Sequence, residues 1–421
     1  MISTGSGGVG DNSGVSPSTM PEGEPAPRDG SLPGDALTGL SERAFGFYVH
    51  VPFCASRCGY CDFNTYTARE LGPGVRQDTY ADSVIAEIAL ARHALRSDGR
   101  PVQTVFFGGG TPTLLPAGDL ARILRAIDEQ FGLADRAEVT TEANPESVDA
   151  RYLATLRAAG FTRMSFGMQS ARQHVLSVLD RQHTPGRPQQ CVKEAHAEGF
   201  EHVNLDLIYS TPGETDDDWR ASLESALAAE PDHVSAYALI VEDGTRLAAR
   251  IRRGELPMPD DDAAADRYLV AEEIFSRAGL EWYEVSNWAA SPASACRHNL
   301  LYWTDGDWWG AGPGAHSHVN GVRWWNVKHP AAYAARLSEG ASPAHAREQL
   351  TEHDRRVERI MLGVRLAAGH PVGDLTELGR AAASRFVADG LLEPRSYHNG
   401  RLVLTTRGRL LADAVIRDLV D

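Results

Sequence analysis

Cysteine is scarce in this chain: there are five in 421 residues. An odd and sparse set excludes a disulfide framework and points to a reducing compartment, the cytoplasm. Basic residues are in deficit, 41 Lys+Arg against 57 Asp+Glu for a net charge of -16. That balance excludes non-specific gripping of a phosphate backbone, which needs clustered cations. No apolar run approaches the ~20 residues of a spanning helix, and the mean hydropathy is -0.31, so an integral membrane protein is excluded. The start lacks a basic stretch followed by an apolar one, so no secretory signal is expected. What is present is 42% hydrophobic residues, enough for a sizeable core in a chain too long for one small domain. Three of the five cysteines, Cys54, Cys58 and Cys61, fall together in one short segment.

Residues 1–42 are rich in Gly, Ser, Pro, Asp and Glu and are expected to be disordered, since they bury too little surface to offset their ordering entropy. Met20 is an alternative start. Over 43–240, β-rich runs alternate with helical patterns. The runs are Phe45–Val51, Thr104–Phe107, Glu138–Glu142, Arg163–Met168, Val203–Tyr209 and Val234–Ile240. Between them, Tyr80–Leu95, Leu120–Phe131 and Trp219–Ala228 carry apolar residues at three- and four-residue spacing. Six strands separated by helices predict an α/β fold of parallel units, a partial (β/α)6 barrel with ligands at the strands' C-terminal ends. A doubly wound sheet is the alternative.

Residues 241–340 predict a helix at Ala263–Ala278 and then an extension covering the barrel, dense in aromatics and histidines: Trp303, Trp308, Trp309, Trp324 and Trp325 with His298, His316, His318 and His329. Residues 341–421 predict helices at Arg356–Leu366 and Leu375–Asp389, a strand pair (Leu391–Glu393 with Leu402–Thr405) and a final helix. This order is winged-helix-like, but its arginines are mixed with acids, which favours docking or support over DNA binding.

Cys54, Cys58 and Cys61 form C-x3-C-x2-C just after the first run, with Gly59 free to bend the loop around a centre. Three thiolates suit a soft centre, zinc or an iron–sulfur cluster. Zinc in a closed site needs a fourth ligand, for which His50 is nearest. A cubane cluster on three cysteines leaves one iron open. Plain core thiols are disfavoured by Arg57 and Asp62 in the same loop. Gly108-Gly109-Gly110-Thr111-Pro112 follows the second run, and glycines there let the backbone approach a small ligand. Glu142 closes the third run, Gln169 follows directly on the fourth with Arg181 beyond it, and Asp206 lies within the fifth. Singly, each reads equally as a cap or a satisfied core group; as a series, they offer one pocket acceptors for an amine and hydroxyls and a cation for a carboxylate.

C-x3-C-x2-C after the first strand of such a repeat resembles the radical S-adenosylmethionine (radical SAM) superfamily. The resemblance implies a 4Fe-4S cluster on the three cysteines, whose open iron takes the amino and carboxylate groups of SAM. By the same matching, Tyr48, Tyr60, Gly109, Gly110, Thr111, Glu142, Gln169, Arg181, Asp206 and Ala238 are expected to line the SAM site.

Tyr48-Val49-His50-Val51-Pro52-Phe53-Cys54, the GGGTP loop, Gly167-Met168-Gln169-Ser170 and Asp206-Leu207-Ile208-Tyr209 resemble the group that joins oxygen-independent coproporphyrinogen III oxidases with the HemW-type heme chaperones. The oxidases carry a fourth cysteine two residues after the third, where this chain has Phe63. His298-Asn299-Leu300-Leu301-Tyr302-Trp303 fits the H-N-x-x-Y-W motif of the chaperones, and His298, Asn299, Tyr302 and Trp303 are the heme candidates, imidazole being an axial iron ligand and aromatics packing on a porphyrin. A hydrogen-bonded interface histidine is the structural alternative. The resemblance therefore implies a heme chaperone that delivers heme to an acceptor hemoprotein, with respiratory cytochromes as expected clients and peripheral contact with the membrane. Anaerobic oxidative decarboxylation in porphyrin biosynthesis is the alternative, and a zinc-stabilised scaffold a third. Monomer and homodimer both stay open, and Cys191 and Cys296 have no assigned role.

Overall fold

Six runs of buried apolar residues become six strands: β1 (Phe45–Val51), β2 (Val102–Gly109), β3 (Leu133–Ala143), β4 (Arg163–Gln169), β5 (His202–Tyr209) and β6 (His233–Ala238). The computed structural model describes residues 21–71, 77–96 and 99–420. The six strands are parallel and lie side by side in chain order. Phe47, Val49 and Val51 on β1 and Val203, Leu205 and Leu207 on β5 are fully buried, as expected of parallel strands covered by crossover helices. Helix α1 (Tyr80–Ala94) buries Val84, Ile88 and Ala91, and α2 (Ala117–Phe131) buries Leu120, Ile123, Leu124 and Ile127. That spacing places one apolar stripe on the sheet. Helix α3 (Asp216–Leu227) starts on a reciprocal cap between Thr215 and Asp218.

The region expected to cover the barrel instead widens it. Asp307–Ala311 adds parallel to the free edge of β1, with Trp309 opposite Phe47 and Gly310 opposite Tyr48. His316–Val319, Val322–Asn326 and Ala344–Gln349 follow antiparallel. At the other edge, Asn287–Ala289 pairs antiparallel with β6, and Glu281–Glu284 lies beyond it. Among the described residues this makes one mixed sheet of 13 strands whose two end strands do not pair, an open barrel extended at both edges. The tryptophans serve largely as strand residues: Trp309, Trp324 and Trp325 are buried in the extension.

The expected disorder of residues 1–42 does not hold over 21–42. Glu24–Pro25 pairs with Ala344–Gln349 as the last strand, and Ala36 and Leu40 are buried in the main core. Residues 1–20, Met20 included, lie outside the described residues.

One short helix, α4 (Arg297–Trp303), is anchored low on the parallel strands. The Glu138 carboxylate accepts from the amides of Arg297 and His298 at 3.1 and 3.0 Å, capping its first turn. Leu301 fills the space that a side chain on Gly46 would need, 2.8 Å from that ideal Cβ position.

The C-terminal residues form a second core around Ile360, Leu392, Leu402, Val415 and Leu419, with helices at Glu352–Gly363, Glu377–Ala388 and Ala412–Val420. The expected strand pair shrinks to a single bridge between Leu392 and Leu404. Arg401–Leu402 pairs instead with His370–Pro371, because Pro394–His398 turns helical directly after Glu393.

Candidate functional site

The chain leaves β1 at Val51 and closes the cysteine loop with a two-residue ladder, Phe53–Cys54 against Tyr66–Thr67. The loop is tied to its neighbours through Gly59, whose amide donates to the Leu179 carbonyl (2.9 Å) and whose carbonyl accepts from Leu247 (2.8 Å). A side chain at Gly59 would lie 2.8 Å from the Asp180 carboxylate, so glycine is needed for that close approach. Cys54, Cys58 and Cys61 are free and only partly buried. Burial pushes the Cys54 thiol up and the Cys61 thiol up to about 11, with neighbouring cysteines adding to each.

Among the described residues, no three His, Cys, Asp or Glu side chains converge closely enough for one metal ion. His50, the fourth ligand a zinc site would need, has its Nδ1 3.1 Å from the Tyr48 hydroxyl and its Nε2 2.9 Å from the Asn64 carbonyl. Both ring nitrogens are engaged, and the ring faces the glycine loop. Three soft donors in one loop suit a soft centre, and His50 is engaged elsewhere. Phe63 is 52% exposed and turns its ring to solvent.

The glycine loop packs against the cysteine loop. Gly110 donates to the Val51 carbonyl at 2.7 Å and Thr111 to that of Phe53 at 2.7 Å. A Cβ on Gly110 would lie 2.5 Å from the Phe53 oxygen, and one on Gly109, at φ +106°, 2.6 Å from the His50 ring. No larger residue fits either position without displacing backbone or ring. Thr111 also hydrogen-bonds towards Cys54.

Around this junction the strand ends deliver the polar groups. Glu142 accepts from the Gly109 amide at 3.2 Å, and burial, with Asp206 nearby, pushes its carboxyl up to about 8. Asp206 accepts from Ser165 (2.9 Å) and Asn204 (2.7 Å), and burial raises its pKa as well. Arg181 donates to the Cys58 sulfur at 3.6 Å and to the Gly167 carbonyl at 3.1 Å. Its buried Nε has no partner among the described residues, nor does Gln169 Oε1. Tyr60 packs with Leu179, Ile208 and Leu247, and its hydroxyl lies in the field of Cys58, Arg181 and Asp206. Tyr48 feels Glu142 from the β1 side. Ala238 ends β6 opposite Tyr209 and makes no polar side-chain contact. The strand ends and the cysteine loop thus bring together carboxylate acceptors, a guanidinium with an unpartnered buried Nε and three thiols.

The four heme candidates lie along α4. His298 is 1% exposed, with Nδ1 2.8 Å from Thr104 Oγ1 and Nε2 2.8 Å from the Tyr302 hydroxyl. Burial holds its pKa down to about 3. Asn299 and Trp303 both reach the Glu284 carboxyl. Glu284 also accepts from Asn287, and burial pushes it up to about 7. Tyr302 meets Trp308 edge-on at 4.6 Å. Sequence reading missed Thr104, Phe106, Glu138 and Glu284 as partners of this motif. No local signal marks them, since Thr104 and His298 are 194 residues apart.

Comparison with known proteins adds to this geometry. The sequence model of the radical SAM superfamily matches residues 48–226. A heme chaperone HemW from Mycobacterium tuberculosis is 54% identical over 389 residues, covering 92% of this chain and 97% of that protein. A heme chaperone HemW from Bacillus subtilis is 32% identical over 375 residues, covering 87% and 97% respectively. Among solved structures, the coproporphyrinogen III oxidase HemN from Escherichia coli, a radical SAM enzyme, superposes with a TM-score of 0.78 at 22% identity, covering 91% of this chain and 92% of that one. At that identity the likeness establishes the fold.

Proposed function

We propose, for a chain that belongs to the radical SAM superfamily and within it to the HemW heme chaperone family, that it binds heme beside SAM and a 4Fe-4S cluster and delivers the heme to an acceptor hemoprotein. The observation that carries this reading is identity of 54% to a heme chaperone over 92% of the chain, far beyond the cluster-binding segment alone. The open position at Phe63, where the related oxidases by resemblance hold a fourth cysteine, points the same way.

Cys54, Cys58 and Cys61 would hold the cluster, with Arg181 donating to the Cys58 sulfur. When bound, the cluster supplies low-potential electrons and an open iron for SAM. Glu142 would take the ammonium end of SAM, giving up its proton as the cation arrives. Asp206, already oriented by Ser165 and Asn204, would accept from ribose hydroxyls. The unpartnered Nε of Arg181 and the unpartnered Gln169 Oε1 would meet the carboxylate and remaining donors of the ligand. No helix among the described residues is long and apolar enough to cross a membrane, and we read the protein as cytoplasmic, meeting membrane-bound cytochromes peripherally, with 341–421 as the docking module.

The test is a heme titration of anaerobically reconstituted protein followed by absorption, with and without SAM. A saturable Soret band and its transfer to an apo-cytochrome are expected. Absence of saturable heme binding, or SAM-dependent turnover of coproporphyrinogen III, overturns the reading.

A further inference from the structure

The geometry points to His298 as a positioning residue of the SAM pocket, holding Tyr302 and Phe106 against the wall that carries Glu142, and not as an iron ligand; the role rests on the SAM site proposed above. A neutral imidazole has one N–H and one lone pair, and an axial bond needs that lone pair free and accessible. In His298 neither nitrogen is free, since Thr104 and Tyr302 each lie 2.8 Å away. The ring is stacked on Phe106 at 5.3 Å and 24°, and Tyr302 meets it edge-on at 4.9 Å. Its own backbone amide is fixed by Glu138 at 3.0 Å. A porphyrin could reach either nitrogen only by displacing a hydrogen-bond partner and opening a side chain that is 1% exposed.

The same contacts lead to the SAM pocket. An ideal Cβ on Gly108 would lie 3.0 Å from Phe106 Cε1 and 3.1 Å from Glu142 Oε2. The Phe106 ring edge and the Glu142 carboxyl therefore border the same glycine face. Tyr48 stacks on Phe106 at 6.3 Å and 27°, so the wall behind Glu142 is built from Tyr48, Phe106 and His298 in layers. Tyr302, one turn along α4, carries its hydroxyl from His298 into the field of Glu142. Loss of the imidazole frees both Phe106 and Tyr302, and Glu142 loses the surface that fixes its orientation towards Gly109.

The experiment measures SAM affinity and the heme absorption spectrum on reconstituted full-length protein for wild type, His298→Ala, His298→Gln, Tyr302→Phe and the His298→Ala/Tyr302→Phe pair. His298→Ala and Tyr302→Phe are each expected to weaken SAM by about tenfold, as loss of a buried hydrogen bond to the wall predicts. The double variant is expected to be no weaker than the worse single one, because both remove the same link. His298→Gln, which keeps one partner, is expected to recover part of the loss, and the Soret position and intensity are expected to be unchanged throughout. A Soret change in His298→Ala that Tyr302→Phe lacks overturns the inference and restores the ligand role. Unaltered SAM affinity in the variants, with only a lower Tm, overturns it in favour of plain packing. Failure of the wild type to bind SAM overturns the SAM reading first and the inference with it.

Discussion

The Arg181 guanidinium bridges the two halves of the site: Nη1 lies 3.6 Å from the Cys58 sulfur while Nη2 donates to the Gly167 carbonyl at 3.1 Å. One planar group thereby registers the cysteine loop against the end of β4. Arg181→Lys supplies the charge but not the fork, so it cannot hold both partners at once. SAM affinity is expected to fall by tenfold or more in Arg181→Ala and by less in Arg181→Lys. Iron and sulfide content after reconstitution is expected to stay near wild type, since all three cysteines remain. Titration with SAM alongside metal analysis checks both halves.

Glu142 provides a proton-linked signature. Its carboxyl is pushed up to about 8 by burial and by Asp206. It is therefore mainly protonated at pH 7 before SAM arrives, and an incoming ammonium stabilises the ionised form. Binding at pH 7 is expected to release close to one proton from wild type and none from Glu142→Gln. Calorimetry in two buffers of different ionisation enthalpy reads this directly. The sign for stability is opposite to that of an ordinary surface carboxylate. The folded form binds the proton more tightly than the unfolded chain, so stability is expected to fall as pH rises from about 4.5 towards 8 and to level off above. In Glu142→Gln this part of the slope should vanish from urea-unfolding curves.

The sequence reveals what is local and hides what is not. The bounds of β1 can be read directly, because Phe45–Val51 is a largely apolar run ending at a proline. β3 begins at Leu133, before the run expected from Glu138, because a register shift lets Leu133 pair with Val102. Ordering of residues 21–42 rests on little apolar surface, Ala36 and Leu40 among it, in a polar stretch, too thin a pattern to read from composition. The parallel pairing of Asp307–Ala311 with β1 joins segments far apart in the chain and leaves no periodic trace. That Glu142 and Asp206 lie near one another follows from parallel βα units, which put strand C-terminal halves on one side. The partners of His298 are not legible in this way, because a histidine next to aromatics looks the same whether it faces iron or a threonine.

A buried acid outside the cysteine loop holds the widened sheet to α1. Glu87 is fully buried and accepts from Gly312 N (2.8 Å), Asn326 Nδ2 (2.8 Å), Trp309 Nε1 (3.3 Å) and the Tyr333 hydroxyl. Its four donors come from the segment added outside β1, so this one carboxyl anchors that extension. Glu87→Ala leaves them unsatisfied and is expected to cost about 3–5 kcal/mol in unfolding free energy. The folded fraction should still bind SAM normally. Chemical denaturation with a SAM titration at low denaturant separates the two effects.

His50 distinguishes a cluster from a zinc site by a single substitution. Its two nitrogens serve Tyr48 and the Asn64 carbonyl, and its ring packs under Gly109. It acts as a spacer between the glycine and cysteine loops. His50→Gln keeps a donor and an acceptor in that space, so iron and sulfide per chain are expected to match wild type. Cys54→Ala, Cys58→Ala and Cys61→Ala are each expected to lose most of both, because a cubane on two thiolates is poorly held. Stoichiometric zinc in wild type that disappears in His50→Gln would instead mean that the ring leaves Asn64 to complete a tetrahedral site. Metal analysis of the five proteins after anaerobic purification decides between these outcomes.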